Sequence, residues 1–258
     1  MALGLPALIF YGYSHVMESD YFSLTYVDVE GLYHLDEETL LESAEAVGGE
    51  HILDVKSEHL EATMRSLPFV RDVEVERRFP DRLHVKIQEY DPAVIVVDDG
   101  FWLSDHHGEV FLRLDSSTPE GGFWHLPLMT GLTRAELGTE SGRAKLRLGL
   151  EAHAQYEALG LHEVDPVSEI HVDDLLGVSL VVGEVGTEIR LGRGRWKERL
   201  ERFAVIRQSL SLHGVQAAYM LIDHESDLSR VAVGPLTGPG SGDVDESDLE
   251  HGTRLLMD

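Results

Sequence analysis

LPFVRDVEVERRFPDRLHVKIQEYDP, the stretch from Leu67 to Pro92, contains two runs in which apolar and polar side chains alternate. The alternating apolar positions are Val73, Val75, Leu83, Val85 and Ile87. A period of two is typical of half-buried β-strands. Between the runs, Pro80 and Asp81 favour a turn. Because Pro68 disfavours helical geometry at the residue before it, the pattern predicts an antiparallel hairpin that follows a helix.

Upstream of the hairpin, the sequence predicts one strand and two helices. Residues 26–29 alternate like a strand. Asp36 has the position of an N-cap, and its helix runs to about Val47, where two glycines can end it. Asp54 is expected to cap a second helix, which has Leu60 and Met64 on one face. The order strand-helix-helix-strand-strand predicts an α+β unit with two helices on one side of a three-stranded sheet.

These segments resemble the POTRA domain of the FtsQ/DivIB family of bacterial cell-division proteins. The matching elements are LPFV, V-x-V-x-R, FP-x-x-L-x-V-x-I-x-E and Pro92-Ala93, and the family usually has tryptophan where Phe69 stands. The resemblance extends from about Tyr26 to about Val233. It implies a POTRA domain at residues 21–91 and the family's larger β-domain at residues 92–235. The expected fold class is α+β, with a mixed sheet and flanking helices in the second domain.

Residues 92–235 are predicted to form short strands separated by turns, with two longer helices. The helices are expected at about residues 141–159 and 195–212, with buried stripes that include Leu146 and Phe203. Thr133 and Glu136 have the spacing of a capping box. The strands are expected at residues 93–97, 101–103, 110–112, 124–128, 167–173, 177–182, 187–191, 217–223 and 229–233.

The chain is strongly acidic, with 47 acidic and 21 basic residues and a formal net charge of −26. Such a chain repels nucleic-acid phosphates and anionic lipid surfaces. A highly solvated surface accounts for this charge, and so does an acidic patch that binds a basic partner. The chain has no cysteine, which excludes disulfides, thiolate metal sites and cysteine nucleophiles.

Both ends of the chain differ in composition from the middle. Residues 1–17 contain no Asp, Glu, Lys or Arg, and as a helix they would span about 26 Å, close to the ~30 Å of a bilayer core. The FtsQ/DivIB family has a membrane-spanning helix before the POTRA domain. Residues 1–20 are therefore interpreted as the distal part of such a helix, the alternative being an apolar arm that packs on the domain. Residues 236–258, rich in Gly, Ser and acidic residues, are predicted to be disordered.

We expect no catalytic site, metal or cofactor. Asp105-His106-His107 and His171-x-Asp173 contain metal-ligand residue types, but no third ligand has a recognisable spacing, which favours turns. Gly192-x-Gly194 lacks the third glycine and the lysine of phosphate-binding loops. No G-x-S-x-G nucleophile elbow occurs in the sequence. These observations favour a binding protein over an enzyme.

A binding function is expected at an exposed sheet edge, where unpaired backbone groups allow a partner strand to add. The last predicted strand is the expected edge, because no foldable segment follows it. In the FtsQ/DivIB family the C-terminal strands and the preceding helix form the docking surface for FtsB/DivIC. Carried over to this sequence, that surface comprises Arg199, Tyr219, Ser229, Arg230, Val231, Ala232, Val233 and Gly234. Surface ion pairs are the alternative role for Arg199.

The resemblance implies a non-enzymatic scaffold of the bacterial divisome. It would be a single-pass inner-membrane protein at the septum, with most of the chain in the periplasm. Its partners would be FtsB/DivIC-like and FtsL-like coiled-coil proteins and septal wall-synthesis enzymes. One alternative is a POTRA-containing export or outer-membrane assembly factor, although the repeated ten-residue alternation that usually accompanies such proteins does not follow Asp91. Another is a periplasmic hydrolase that uses a carboxylate pair.

Overall fold

The computed structural model describes residues 20–43, 50–115, 122–224 and 231–236. Its Cα positions divide the chain into two units. The described residues up to Ala93 belong to the first unit, together with those from Trp102 to Asp115. Val94–Phe101 and the described residues from Gly122 onward belong to the second. The α+β class predicted from the sequence is confirmed.

The first unit contains a three-stranded sheet formed by β1 (Tyr26–Glu30), β2 (Val70–Arg78) and β3 (Arg82–Glu89), in the order β1-β3-β2. The hairpin β2–β3 is antiparallel, as the sequence pattern predicts, and β1 pairs in parallel with β3. Two helices, α1 (Glu37–Ser43) and α2 (Ser57–Met64), contribute to the core. That core contains Leu40, Leu60, Met64, Val73, Val75, Leu83, Val85 and Ile87.

The helix α2 begins later than predicted. Its N-cap is Lys56, with no side-chain hydrogen bond, so the expectation that Asp54 caps the helix is wrong. The Asp54 N–H instead donates to the His51 carbonyl in a turn, and Val55 is buried directly after it. The chain therefore enters the core before the helix starts. The predicted end of α1 near Val47 lies outside the described residues.

Glu89 fixes the segment between β1 and α1. Its carboxylate accepts hydrogen bonds from the backbone N–H groups of Tyr33 (3.1 Å), His34 (2.8 Å) and Leu35 (3.3 Å), and the His34 ring Nδ1 lies 2.9 Å away. The Glu89 side chain is only 3% exposed. Burial raises the pKa of this carboxyl, but the donors outweigh burial and hold the pKa below its ordinary value.

Nine strands form a second, mixed sheet, with the order β12-β11-β10-β9-β8-β7-β4-β5-β6. These strands are β4 (Pro92–Val97), β5 (Phe101–Asp105), β6 (Val110–Leu114), β7 (Leu128–Thr130), β8 (Val167–Asp173), β9 (Gly177–Val182), β10 (Thr187–Gly192), β11 (Ala217–Leu221) and β12 (Ala232–Pro235). Two long helices flank it, α3 (Glu140–Ala158) and α4 (Trp196–Leu212). The predicted mixed sheet with flanking helices is confirmed.

From β8 to β11 one face of this sheet is packed and the other, open face is more exposed, whereas β4 is buried on both faces. Paired residues form an apolar row across the packed face, where α3 lies on β8 and β9 and α4 lies on β10. The row runs through Met129, Ile170, Leu180, Ile189 and Met220, each at most 3% exposed, and ends at Val233. The neighbouring row on the open face includes Glu169, Val181, Glu188 and Tyr219.

Local details confirm some sequence patterns and correct one. The Glu136 carboxylate accepts hydrogen bonds from the Thr133 N–H (2.9 Å) and hydroxyl (2.8 Å), so this capping interaction is confirmed. Together with Lys145, these donors lower the pKa of Glu136 to about 2.

The strand predicted at residues 124–128 is wrong, since β7 begins only at Leu128. The preceding residues form a turn in which the Leu126 N–H donates to the Phe123 carbonyl, and Pro127 has no N–H for a ladder.

Among the described residues, no helix has the length and hydropathy that a membrane crossing requires.

Candidate partner-binding edge

The strand β12 lies at one edge of the nine-stranded sheet. It pairs antiparallel with β11, with Tyr219 opposite Gly234, Met220 opposite Val233 and Leu221 opposite Ala232. Among the described strands, β12 has no neighbour on its other side. Its outer backbone groups are therefore the ones that a partner strand would meet.

The outward-facing groups follow from the alternation of a β-strand. The Leu236 N–H donates to the Gln216 carbonyl at 2.9 Å, so it points toward β11. Successive N–H groups point to opposite sides of a strand. The N–H groups of Val231 and Val233 therefore point away from β11. Pro235 takes the next outward position. Because this position faces away from β11, the absence of a proline N–H costs no hydrogen bond to β11.

The two faces of β12 differ. Val233 continues the apolar row of the packed face, whereas Gly234 lies beneath the ring of Tyr219. A Cβ atom on Gly234 would lie 2.1 Å from Cε1 of that ring, so only glycine permits this contact. The Tyr219 side chain remains 43% exposed. Tyr219 and Gly234 thus form one surface at the edge, and their assignment to the partner-binding site stays a prediction.

Arg199 is inside the protein, and this corrects its interpretation as an exposed partner contact or a surface ion pair. The residue is 2% exposed. Its guanidinium donates to the carbonyl of Leu191, to that of Arg193 at 3.4 Å and to that of Asp223 at 3.5 Å. The Leu191 carbonyl lies within β10, and the carbonyls of Arg193 and Asp223 follow the ends of β10 and β11. Arg199 therefore holds the strands next to the edge and does not face a partner.

The remaining predicted site residues divide into two groups. Val231 and Ala232 belong to the described edge, where Ala232 is exposed and Val231 is half-buried. Ser229 and Arg230 lie outside the described residues. Their assignment to the partner-binding surface stays a prediction.

A pocket of about 450 Å³ lies between α4 and the edge strands, and the sequence patterns did not predict it. Phe203, Leu210, Met220 and Leu236 contribute to its walls. Thr187, also in the lining, donates its hydroxyl to the Ala217 carbonyl at 2.7 Å and so ties β10 to β11. Leu236, the first residue of the tail predicted to be disordered, follows β12 directly and lines this pocket.

The motifs that resemble catalytic or metal sites have structural roles here. The Asp105 carboxylate accepts hydrogen bonds from the N–H groups of His107 (2.9 Å) and Glu109 (2.8 Å), which forms the predicted turn. The His171 ring lies 2.7 Å from the Thr130 hydroxyl. A Cβ on Gly192 would lie 2.9 Å from the Arg199 guanidinium. Within the described part of the chain, no three His, Asp or Glu side chains come close enough to hold a metal ion.

The architecture is that of a POTRA domain followed by a division-protein β-domain, and comparisons with known proteins agree. Residues 22–90 match the family model "POTRA domain, FtsQ-type". Residues 93–224 match the model "Cell division protein FtsQ/DivIB, C-terminal".

Relatives that match over most of this chain give the same result. The Cell division protein FtsQ of Anaeromyxobacter sp. (strain K) is 32% identical over 244 residues, which cover 90% of this chain and 81% of that protein. The FtsQ of Myxococcus fulvus (strain ATCC BAA-855 / HW-1) is 31% identical over 227 residues, covering 87% and 78%. The FtsQ of Geotalea daltonii is 26% identical over 218 residues, covering 84% and 78%. The chain belongs to the FtsQ/DivIB family of cell-division proteins, which are not enzymes.

Proposed function

We propose that this chain is a scaffold of the bacterial division machinery and that it binds a partner by addition of a strand to β12. The observation that supports this most is the outer edge of β12, which has no neighbouring strand among those described. In β-augmentation, backbone hydrogen bonds supply affinity and alternating side chains supply specificity. An added strand would extend both the apolar row that ends at Val233 and the open face that carries Tyr219.

The family supports the identity of the partners. The added strand belongs to an FtsB/DivIC-like protein, which in turn engages FtsL-like coiled-coil proteins and septal wall-synthesis enzymes. Residues 1–20 anchor the chain in the inner membrane, and a POTRA domain at residues 21–91 and a β-domain at residues 92–235 face the periplasm at the septum. Membership of the FtsQ/DivIB family favours this role over that of an export or outer-membrane assembly factor.

A pair of substitutions at Val231 tests the mechanism, because its N–H points outward. Val231→Pro removes that donor without removing a bond to β11, and Val231→Thr keeps both the donor and the β-branched shape. Loss of one backbone hydrogen bond of about 1 kcal/mol weakens binding roughly fivefold. The measurement is affinity capture from solubilised membranes, with captured proteins identified by mass spectrometry.

We expect the wild-type chain and Val231→Thr to capture small coiled-coil membrane proteins to the same extent, and Val231→Pro to capture markedly less of them, in line with the roughly fivefold weaker binding. Equal capture by both variants would exclude backbone pairing at this edge. Capture of outer-membrane or export components would overturn the division-scaffold role itself. Thermal unfolding of both variants controls for the fold.

A further inference from the structure

A second surface with the features of a binding site lies away from β12, in the second unit. Two exposed aromatic rings form it, Phe101 at 38% exposure and Trp124 at 57%. Their ring centroids are 5.2 Å apart and the rings are nearly perpendicular, at 82°. This edge-to-face contact is a favourable aromatic arrangement, and it orients both rings while large parts of them remain accessible to solvent.

The aromatic pair forms one wall of a pocket of about 540 Å³. Leu126, Leu128, Pro166 and Val167 supply further apolar surface. The volume lies within the usual range for ligand sites in proteins, about 300–1,000 Å³. Leu128 is in β7 and Val167 is in β8, five and four strands from β12 in the sheet order. At about 4.8 Å per strand, this separation is roughly 19–24 Å. The apolar side of the pocket is therefore distinct from the β12 edge, and Glu184 follows β9, three strands from β12.

The charge at this pocket is one-sided. Glu184 lines it and is exposed, His125 is the other titratable residue of the lining, and the lining residues include no Lys or Arg. The whole chain has a net charge of −26, so the long-range field also favours a cation. An aromatic face beside a carboxylate is a recurrent environment for an arginine, whose planar guanidinium stacks on a ring and pairs with carboxylate oxygens.

We propose that this pocket binds an arginine of an extended, otherwise apolar segment in a partner protein. The guanidinium stacks on Trp124 and pairs with Glu184, and the flanking apolar side chains contact Leu128 and Val167. Phe101 holds the indole in place. This site is independent of strand addition at β12, and the two surfaces engage different segments.

A defined probe tests the proposal with the whole chain, kept soluble in a mild detergent. The probe is the blocked peptide acetyl-Ala-Leu-Arg-Leu-Ala-amide, and its matched control carries citrulline, which has the same shape and no charge. The readout is the indole ¹⁵N–¹H signal of Trp124, which the Trp124→Phe variant assigns among the three tryptophans. We expect a saturable shift with the arginine peptide and at least about fivefold weaker binding of the citrulline peptide.

Two substitutions test how much the charge of Glu184 contributes to binding of the arginine peptide. Glu184→Gln keeps the shape of the side chain and is expected to weaken the arginine peptide roughly threefold, with little effect on the citrulline peptide. Glu163→Gln, also at an exposed position, is the control and leaves both affinities unchanged.

Equal affinity for the two peptides would overturn the proposal, as would the absence of saturation up to about 10 mM. A saturable shift with the neutral glycan chitotetraose at lower concentration would overturn it in favour of a carbohydrate site. Val231→Pro leaves the arginine-peptide affinity unchanged, which distinguishes this site from the edge.

Discussion

The edge strands of the two sheets are built differently. Both edges of the three-stranded sheet carry charges that pair with the central strand β3: Arg82 lies 3.3 Å from Asp28 of β1, and Lys86 lies 3.3 Å from Glu76 of β2. In contrast, β12 consists of Ala, Val, Gly and Pro. Charged side chains on an edge disfavour addition of another strand, and their absence leaves the outward backbone groups that precede Pro235 open to it. The comparison indicates that the protein protects the edges of the small sheet and leaves one edge of the large sheet available.

The largest expected effect is on stability and concerns Arg199, whose hydrogen bonds hold the strands next to β12. Arg199→Met removes the buried guanidinium and leaves the carbonyls of Leu191, Arg193 and Asp223 without that donor. We expect the free energy of unfolding to fall by about 3 kcal/mol. Urea denaturation measures this change, and Lys197→Met, exposed on the same helix, is the control, with an effect within about 0.5 kcal/mol. Similar midpoints for the two variants would show that the hydrogen bonds of Arg199 contribute little to stability.

A smaller effect is expected in the first unit, at Glu89. In Glu89→Gln an amide NH₂ replaces one carboxylate oxygen and meets backbone N–H groups, so a loss of about 2 kcal/mol is expected. The wild-type pKa of Glu89 is below its ordinary value, so this stabilisation is present above about pH 4.5 and is lost as the pH falls through the lower folded-state pKa. Urea midpoints of wild type and variant should therefore converge in acid.

Glu38→Gln, at an exposed position of α1, is the control for Glu89→Gln. It should leave the midpoint unchanged at every pH. A constant difference between wild type and Glu89→Gln from pH 7 to about pH 3 would show that the loss is not linked to this carboxylate.

The contact between Gly234 and Tyr219 gives the third prediction. Gly234→Ala places a Cβ within 2.4 Å of two ring atoms, so the ring must move off the edge, at a cost of about 1.5 kcal/mol. In a Tyr219→Ala background the same change should cost less than about 0.5 kcal/mol. A double-mutant cycle by urea denaturation measures this coupling. Equal costs in both backgrounds would mean that the backbone of Gly234, and not the ring, requires glycine.

Much of the fold could be predicted because its signals are local. β8 and β9 have the predicted limits, since their alternation ends at turns containing Asp or Gly. Strand order was not predictable, because parallel pairs such as β4 with β7 join segments that are distant in sequence. The edge was inferred from the composition after Gly234. The sequence does carry a signal for the burial of Arg199, which lies three residues after Trp196 and four before Phe203, on the same apolar stripe of α4.

The smallest expected effect tests the comparison of the edges directly, by making β12 resemble the charged edges of the small sheet. Ala232 is exposed and faces away from the packed layer, so Ala232→Glu should change the free energy of unfolding by less than about 0.5 kcal/mol. Partner affinity should fall about fivefold, because the carboxylate must lose water when a strand is added beside it. Surface plasmon resonance with the captured partner measures this affinity, and Ala232→Thr is the uncharged control. Equal losses for both variants would assign the effect to side-chain size, and unchanged affinity for both would place the partner elsewhere than on β12.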